Sequence, residues 1–364
     1  MKKISLIGST GSIGRQVVDI VKRYPDKFKI VALVAGSDSE EFERQKREFK
    51  PGFSALASKD NALPAAEWTD ADIIFNAAGG FAGLQYSLKA IENGKTLALA
   101  NKETLVCGGD IVMPLARKTG AKIIPVDSEH SAIWQCLNFK SDTKVRRLII
   151  TASGGAFRNL PPEKLKSVTP EQALNHPTWK MGKKITVDSA TLMNKGYEVI
   201  EAHVLYGTDY GKIETVIQPQ SIVHSLVELE DGAVLAQMSY PTMELPISLA
   251  LSFPERIATT LKPMDFNSAF SLQFEPMERK KYPCFDIALT CGEQGGIMPC
   301  VLNAADEVAV EAFLSGVIAF TDIHRVVEET VSSIPNEAVK SFEQLQSINY
   351  RARSVARQQI KKLQ

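Results

Sequence analysis

Asp127-Ser128-Glu129 sets two carboxylates within three consecutive residues, directly after the apolar run Lys122–Val126. In an extended chain residues i and i+2 face the same way, so the two acids can aim at one spot. Like charges aimed together repel unless a cation or a shared proton lies between them. Oxygen-only donors select a hard divalent ion such as Mg²⁺ or Mn²⁺; a solvated acidic strand end accounts for the pair equally well. A second cluster, Asn194-Lys195-x-x-Glu198, puts an amide, an ammonium and a carboxylate on one face of a helix-like stretch. That set suits a ligand carrying both a phosphate and a metal-bound oxygen, with Glu198 as third carboxylate. The competing reading is an ordinary Lys195–Glu198 surface pair, which contributes little. Asn101-Lys102-Glu103 forms a further polar cluster after the apolar run Thr96–Ala100.

Gly8, Gly11 and Gly14 punctuate the stretch Gly-Ser-Thr-Gly-Ser-Ile-Gly, between a strand-like run and a helix-like one. Glycine lets the backbone turn tightly and approach a pyrophosphate, and the helix N-terminus offers unpaired N–H groups. This spacing and context point to a dinucleotide, against a plain tight turn. After the second strand come Gly36-Ser37-Asp38-Ser39, and the first basic residue is Arg44. An acid there favours a free ribose 2′-hydroxyl and a nearby base favours a 2′-phosphate, so the residues alone leave NAD against NADP open.

These clusters need elements to hold them. Ile4–Ile7, Ile30–Ala35, Ile73–Asn76, Thr96–Ala100 and Lys122–Val126 read as nearly all-apolar strands. Helix-like stretches such as Ile13–Lys22 and Phe81–Glu92 separate them, predicting an α/β parallel sheet covered on both faces: a doubly wound, Rossmann-type domain over 1–125. Residues 126–260 read as a central α+β catalytic domain. Its elements are strands Val145–Thr151, Ile213–Ile217, Ile222–Leu229 and Ala233–Met238, and a helix Ala190–Leu205 capped by Asp188-Ser189. Within it, about 153–184 is Pro-rich and irregular with His176, Trp179 and Met181, the composition of a lid. Residues 261–285 form a connection, and 286–364 a C-terminal helical domain. The 364 residues accord with roughly two or three domains at about 150 residues each.

Forty-two Lys+Arg balance forty-two Asp+Glu, so no excess charge draws in nucleic acid or an anionic membrane. No apolar run approaches the roughly 20 residues of a membrane span, and the N-terminus runs straight into a strand, which leaves no signal peptide. The five cysteines are odd in number and never spaced Cys-x-x-Cys, as expected for reduced thiols in a cytoplasm. His130, His203 and His324 read as structural; His176 and His224 remain candidates.

Taken together, the chain resembles the 1-deoxy-D-xylulose 5-phosphate reductoisomerase family. The stretches that carry the resemblance are Gly8–Gly14, Leu99-Ala-Asn-Lys-Glu103, Pro125-Val-Asp-Ser-Glu-His-Ser-Ala132, Ser153-Gly-Gly155 and His176-Pro-Thr-Trp179. Val187-Asp-Ser-Ala-Thr-Leu-Met-Asn-Lys-Gly196, Pro219–His224 and Leu302-Asn-Ala-Ala-Asp-Glu307 complete them, all in the family's order. The resemblance implies an NADP-dependent oxidoreductase that converts 1-deoxy-D-xylulose 5-phosphate to 2-C-methyl-D-erythritol 4-phosphate in non-mevalonate isoprenoid synthesis. Retro-aldol cleavage and re-addition of a metal-chelated hydroxyketone precede hydride reduction by NADPH.

It also implies roles. Thr10, Gly11, Ser12, Ile13, Gly36, Ser37 and Asp38 line the NADPH site, completed by Asn101, Glu103 and Gly182. Asp127, Glu129 and Glu198 hold Mg²⁺ or Mn²⁺ and, with Lys102, form the catalytic set. Lys102, Ser128, Glu129, Ser153, His176, Trp179, Ser189, Asn194, Lys195 and Glu198 meet the phosphosugar, and Trp179 and Met181 belong to the lid. The family is homodimeric, with no nucleic-acid or membrane partner. Two departures stand out: Ser37-Asp38 replaces the family's frequent basic or amide residues, and the region 53–70 is shorter. A metal-dependent sugar-phosphate dehydrogenase and a non-catalytic NADP(H) sensor are the rival readings, the second opposed by the three carboxylates.

Overall fold

The computed structural model describes residues 1–140 and 143–364. The chain forms two compact units: Met1–Thr104 with Asp110–Ser131 and Thr242–Lys262, and Leu105–Gly109 with Ala132–Pro241 and Pro263–Gln364.

The first unit alternates strand and helix: β1 (Lys2–Ile7), α1 (Ser12–Arg23), β2 (Phe28–Ala35), α2 (Glu40–Phe49), β3 (Phe53–Leu56), β4 (Ile73–Asn76), α3 (Gly83–Glu92), β5 (Thr96–Leu99), α4 (Glu103–Thr119) and β6 (Ile123–Pro125). All six strands run parallel in the order β3-β2-β1-β4-β5-β6. That is the doubly wound order, whose direction reverses between β1 and β4 and opens a ligand crevice at the strand C-termini. The apolar runs follow from this position: Ile30–Ala35 of β2 is buried throughout because helices cover both faces. α1 shows the complementary pattern, burying Val17, Val18, Ile20 and Val21 while Arg15 and Asp19 face solvent. Sequence periodicity did not single out β3, which pairs with β2.

The chain continues through α5 (Ser128–Cys136), β7 (Val145–Ala152), α6 (Pro170–Leu174), α7 (Lys183–Thr191), α8 (Met193–Tyr206), β8 (Ile213–Ile217), β9 (Val223–Leu229) and β10 (Val234–Met238). Next come α9 (Glu244–Ser252), which packs on α1 and β6 of the first unit, and the short β11 (Glu275–Pro276). α10 (Pro283–Gln294), α11 (Met298–Leu314), α12 (Asp322–Ser332) and α13 (Phe342–Leu363) close the chain. The second sheet is mixed, in the order β10-β9-β7-β8-β11, with β7 and β8 parallel and its other pairs antiparallel. Its core gathers Leu148, Ile150, Val199, Ile217, Val227 and Phe285. Asp231-Gly232 makes the expected β9–β10 turn, with Gly232 at φ +90°.

Three local expectations are corrected. Asp127 and Glu129 do not share an extended segment: Ser128 opens helix α5, and the Asp127 carbonyl accepts from Ser131 N at 2.8 Å. Asp188 and Ser189 do not cap a helix starting at Ala190, because they lie in the last turns of α7. The chain then breaks at Leu192, left-handed at φ +56°, before α8. The Pro-rich stretch is not irregular throughout. It holds a 3₁₀ turn over Pro162–Ser167 and α6, whose capping box joins Thr169 and Gln172.

Candidate active site

In the first unit, Gly8 at the end of β1 adopts φ +85°, and a Cβ there would sit 2.3 Å from the Ala77 carbonyl oxygen after β4. A Cβ on Gly14 would sit 2.1 Å from the Gly8 carbonyl oxygen, so the turn closes only with glycine at both positions. Gly11 stands at the N-cap of α1 with no side chain capping the helix and no acid in its first turn. Thr10, Gly11, Ser12 and Ile13 therefore wrap a helix N-terminus whose N–H groups suit an anion. Gly36, Ser37 and Asp38 form the exposed turn after β2, and nothing lies within 4 Å of a Cβ built on Gly36.

Beyond β4 and β5 the Asn101 and Glu103 side chains join a buried polar network whose other members, Asn76, Ser87 and Thr104, sequence reasoning missed. Asn76 Nδ2 donates to the Gly83 carbonyl and to Ser87 Oγ, each at 2.8 Å, and Ser87 Oγ meets Thr104 Oγ1 at 2.8 Å. Thr104 Oγ1 donates to Asn101 Oδ1 at 2.7 Å, while Asn101 Nδ2 reaches the Ala78 and Gly80 carbonyls and Glu103 Oε2. The network fixes the turn that starts α4, from which Lys102 Nζ reaches Asp127 Oδ2 at 2.9 Å. Asp127 Oδ1 also accepts from Ser128 N at 2.9 Å, and Ser128 Oγ donates to Glu129 Oε2 at 2.5 Å. Lys102, Asp127, Ser128 and Glu129 are thus brought together at the end of β6 and the start of α5.

In the second unit, α8 carries Asn194, Lys195 and Glu198. Both the Asn194 amide and the Lys195 ammonium bond the Glu198 carboxylate. The surface-pair reading fails, because Lys195 is 4% and Glu198 1% exposed. Elsewhere in this unit Ser153 pairs with His176, and the Ser153 turn packs against Ser189 of α7. Gly155, at φ +70°, lets the Ser153 turn approach α7 so closely that a Cβ would lie 2.4 Å from the Ser189 carbonyl oxygen. His176 Nδ1 accepts from Thr178 N and Trp179 N at 3.2 and 3.0 Å, so its proton sits on Nε2 and is donated to Ser153 Oγ at 2.9 Å. Burial, assisted by the Arg158 charge, pushes the His176 pKa down to about 4, which keeps the ring neutral. Ser153 Oγ accepts from Gly155 N as well, so its own O–H remains to be donated. Trp179 lies edge-on to His224, which bonds Ser239 Oγ at 2.9 Å. Met181 and Gly182 precede α7, and the Gly182 carbonyl accepts from Thr186 Oγ1 at 2.8 Å.

A buried charge cluster behind α7 also went unread. Lys184 Nζ lies 2.7 Å from both Asp188 Oδ2 and Asp306 Oδ2, and Tyr197 donates its hydroxyl to Asp306. The available signal was Asp306 itself, a carboxylate among the core positions of α11.

Comparison with known proteins matches three family profiles to this chain. They are 1-deoxy-D-xylulose 5-phosphate reductoisomerase (4–64 and 54–109) and two profiles for its C-terminal domain (123–206 and 238–355). The reductoisomerase of Crocosphaera subtropica is 51% identical over 353 residues, 91% of this chain and 89% of that protein. That of Nostoc punctiforme is 50% identical over 352 residues, with 90% and 88% coverage. A DOX-P reductoisomerase crystallised with NADPH, fosmidomycin and magnesium superposes with a TM-score of 0.93 at 35% identity, covering 100% of this chain and 99% of that one. The Zymomonas mobilis enzyme with NADPH gives 0.89 at 36% identity, covering 99% of each chain.

Proposed function

The chain belongs to the 1-deoxy-D-xylulose 5-phosphate reductoisomerase family, and from that premise we propose how its residues divide the family's reaction. It catalyses the NADPH- and metal-dependent rearrangement and reduction of 1-deoxy-D-xylulose 5-phosphate to 2-C-methyl-D-erythritol 4-phosphate in non-mevalonate isoprenoid biosynthesis. When bound, NADPH supplies the hydride and Mg²⁺ or Mn²⁺ supplies Lewis-acid stabilisation of developing oxyanion charge.

The residues fit both groups. The turn that closes only with glycine at positions 8 and 14 leads into the N-terminus of α1, which no side chain caps, so Thr10, Gly11, Ser12 and Ile13 hold the pyrophosphate. Gly36, Ser37 and Asp38 take the adenosine end, and Asn101, Glu103 and Gly182 complete the site. Asp127, Glu129 and Glu198 each offer a carboxylate oxygen, the donor set of a hard divalent ion. Lys102 offsets the charge of Asp127 and manages a proton or charge at the substrate oxygens. Ser128, Ser153, His176, Trp179, Ser189, Asn194 and Lys195 bind the phosphosugar. Ser153, His176, Ser189, Asn194 and Lys195 gather round its phosphate, where the Ser153 O–H left over from its two incoming hydrogen bonds donates. An anchored phosphate contributes binding energy remote from the reacting carbons and fixes their orientation. The 153–184 segment, with Trp179 and Met181, closes over the sugar and excludes water. The working form is a cytoplasmic homodimer; five free cysteines suit a reducing compartment.

The observation that carries this assignment is the α8 cluster: Asn194, Lys195 and Glu198 meet on one helix face with Lys195 4% and Glu198 1% exposed, a buried amide, ammonium and carboxylate that suit a ligand carrying both a phosphate and a metal-bound oxygen. NADPH oxidation with 1-deoxy-D-xylulose 5-phosphate, with and without chelator, is the test. Chelator-sensitive oxidation giving a branched methyl tetritol phosphate supports the reading. An unbranched product, or turnover indifferent to chelator, overturns it.

A further inference from the structure

The turn after β2 must recognise the adenosine ribose, yet Gly36-Ser37-Asp38-Ser39 contains no cation, and Asp38 would repel a 2′-phosphate. Beside it lies an open groove of about 870 Å³ lined by Ser39, by the carboxylates of Asp38, Glu40, Glu41 and Glu43, and by the guanidinium groups of Arg44 and Arg47. Ser39 caps α2, accepting from Phe42 N at 3.2 Å, and so fixes the helix that presents both guanidinium groups. Both arginines are exposed, and among the described residues Arg47 has no ion-pair partner. Arg44 reaches Glu41 Oε2 at 2.6 Å, but Glu41 has other support: Gln45 Nε2 donates to its Oε1 at 3.1 Å, and Arg15 on α1 is near enough to attract it. Arg44 can therefore leave Glu41 without stranding a bare carboxylate. Glu43 is occupied by Lys46 at 2.8 Å and does not claim either arginine.

We propose that Arg44 and Arg47 of α2 take the 2′-phosphate of NADPH, supplying from the helix the cation that the turn after β2 lacks. Guanidinium groups suit this role because their paired N–H donors match phosphate oxygens in charge and shape. The assignment rests on the NADPH dependence stated above and adds to it the residues that discriminate against NADH.

Calorimetric titration of the full chain with 2′,5′-ADP and with 5′-AMP isolates the 2′-phosphate, the single group by which the two nucleotides differ. The native chain is expected to bind 2′,5′-ADP tighter by about tenfold or more, the scale of one or two charge-assisted hydrogen bonds. Arg44→Gln with Arg47→Gln should reduce that ratio to below about threefold while leaving 5′-AMP binding unchanged. Thermal unfolding checks that these two exposed substitutions leave the fold intact. A double variant that keeps the native ratio, or a native chain with no preference, overturns the assignment. Neither result touches the reaction itself, which the oxidation and product assay above decides on the native chain alone; loss of turnover there leaves the titration free to judge the arginines.

Discussion

The chemistry is concentrated in a few side chains whose environments differ from their surface counterparts. Glu198 shares its two oxygens between Asn194 and Lys195 inside α8, so Glu198→Gln keeps an acceptor for the Asn194 amide but removes the charge a cation needs. We expect turnover to fall by at least about two orders of magnitude, the scale of losing an electrostatic contact to the reacting group. Circular dichroism should stay unchanged, and near-normal activity would remove Glu198 from the metal set. Lys195→Ala is expected to raise KM for the phosphorylated substrate by about tenfold or more, read in steady-state kinetics. His176 gives a pH dependence with a definite sign. Its folded pKa of about 4 lies below the ordinary 6.5, so the folded form binds fewer protons than the unfolded form between those values. Stability of the Ser153–Trp179 arrangement should be complete above pH 6.5 and decline as pH falls toward 4. A titration followed by Trp179 fluorescence should lose this step in His176→Gln. At this scale the spacing of Asn194, Lys195 and Glu198 was legible in the chain, because helical periodicity alone puts them on one face. Their burial was not, since it depends on what packs over α8, and the Lys184–Asp188–Asp306 cluster was hidden for the same reason.

Elements turn these residues into a site by close backbone approach. Gly155 joins the Ser153 turn to α7, and Gly155→Ala would place a Cβ 2.4 Å from the Ser189 carbonyl oxygen at a backbone angle that disfavours any side chain. Calorimetry should register a loss of about 1–3 kcal/mol, the usual cost of overpacking. KM for the phosphosugar should rise in the same variant. Gly211→Ala, where nothing lies within 4 Å of the added carbon, should change stability by less than about 0.5 kcal/mol. The parallel strands were readable because burial on both faces makes them continuously apolar. The helix starts were harder. Asp127-Ser128-Glu129 reads as a strand end from its neighbours, yet Ser128 already begins α5. The break at Leu192 carries no glycine or proline to announce it, since a buried leucine is held left-handed by its surroundings.

For the molecule as a whole, order and handedness of the first sheet follow from alternation of strand and helix, so the cofactor crevice at the β1–β4 reversal was predictable. The placement of Thr242–Lys262 was less visible, because α9 meets α1 and β6 only through long-range packing that no local pattern encodes. If the working form is a homodimer, light scattering of the purified chain should give a mass near twice 39.9 kDa; a mass of one chain at micromolar concentration would refute it. The catalytic account depends above all on Asp127, Glu129 and Glu198 closing on a single ion. Anomalous diffraction from crystals grown with Mn²⁺ measures this directly. One peak with an oxygen of each of the three carboxylates at about 2.0–2.2 Å is predicted. A peak bonded by other residues, or one that leaves Glu198 out of its shell, would contradict it.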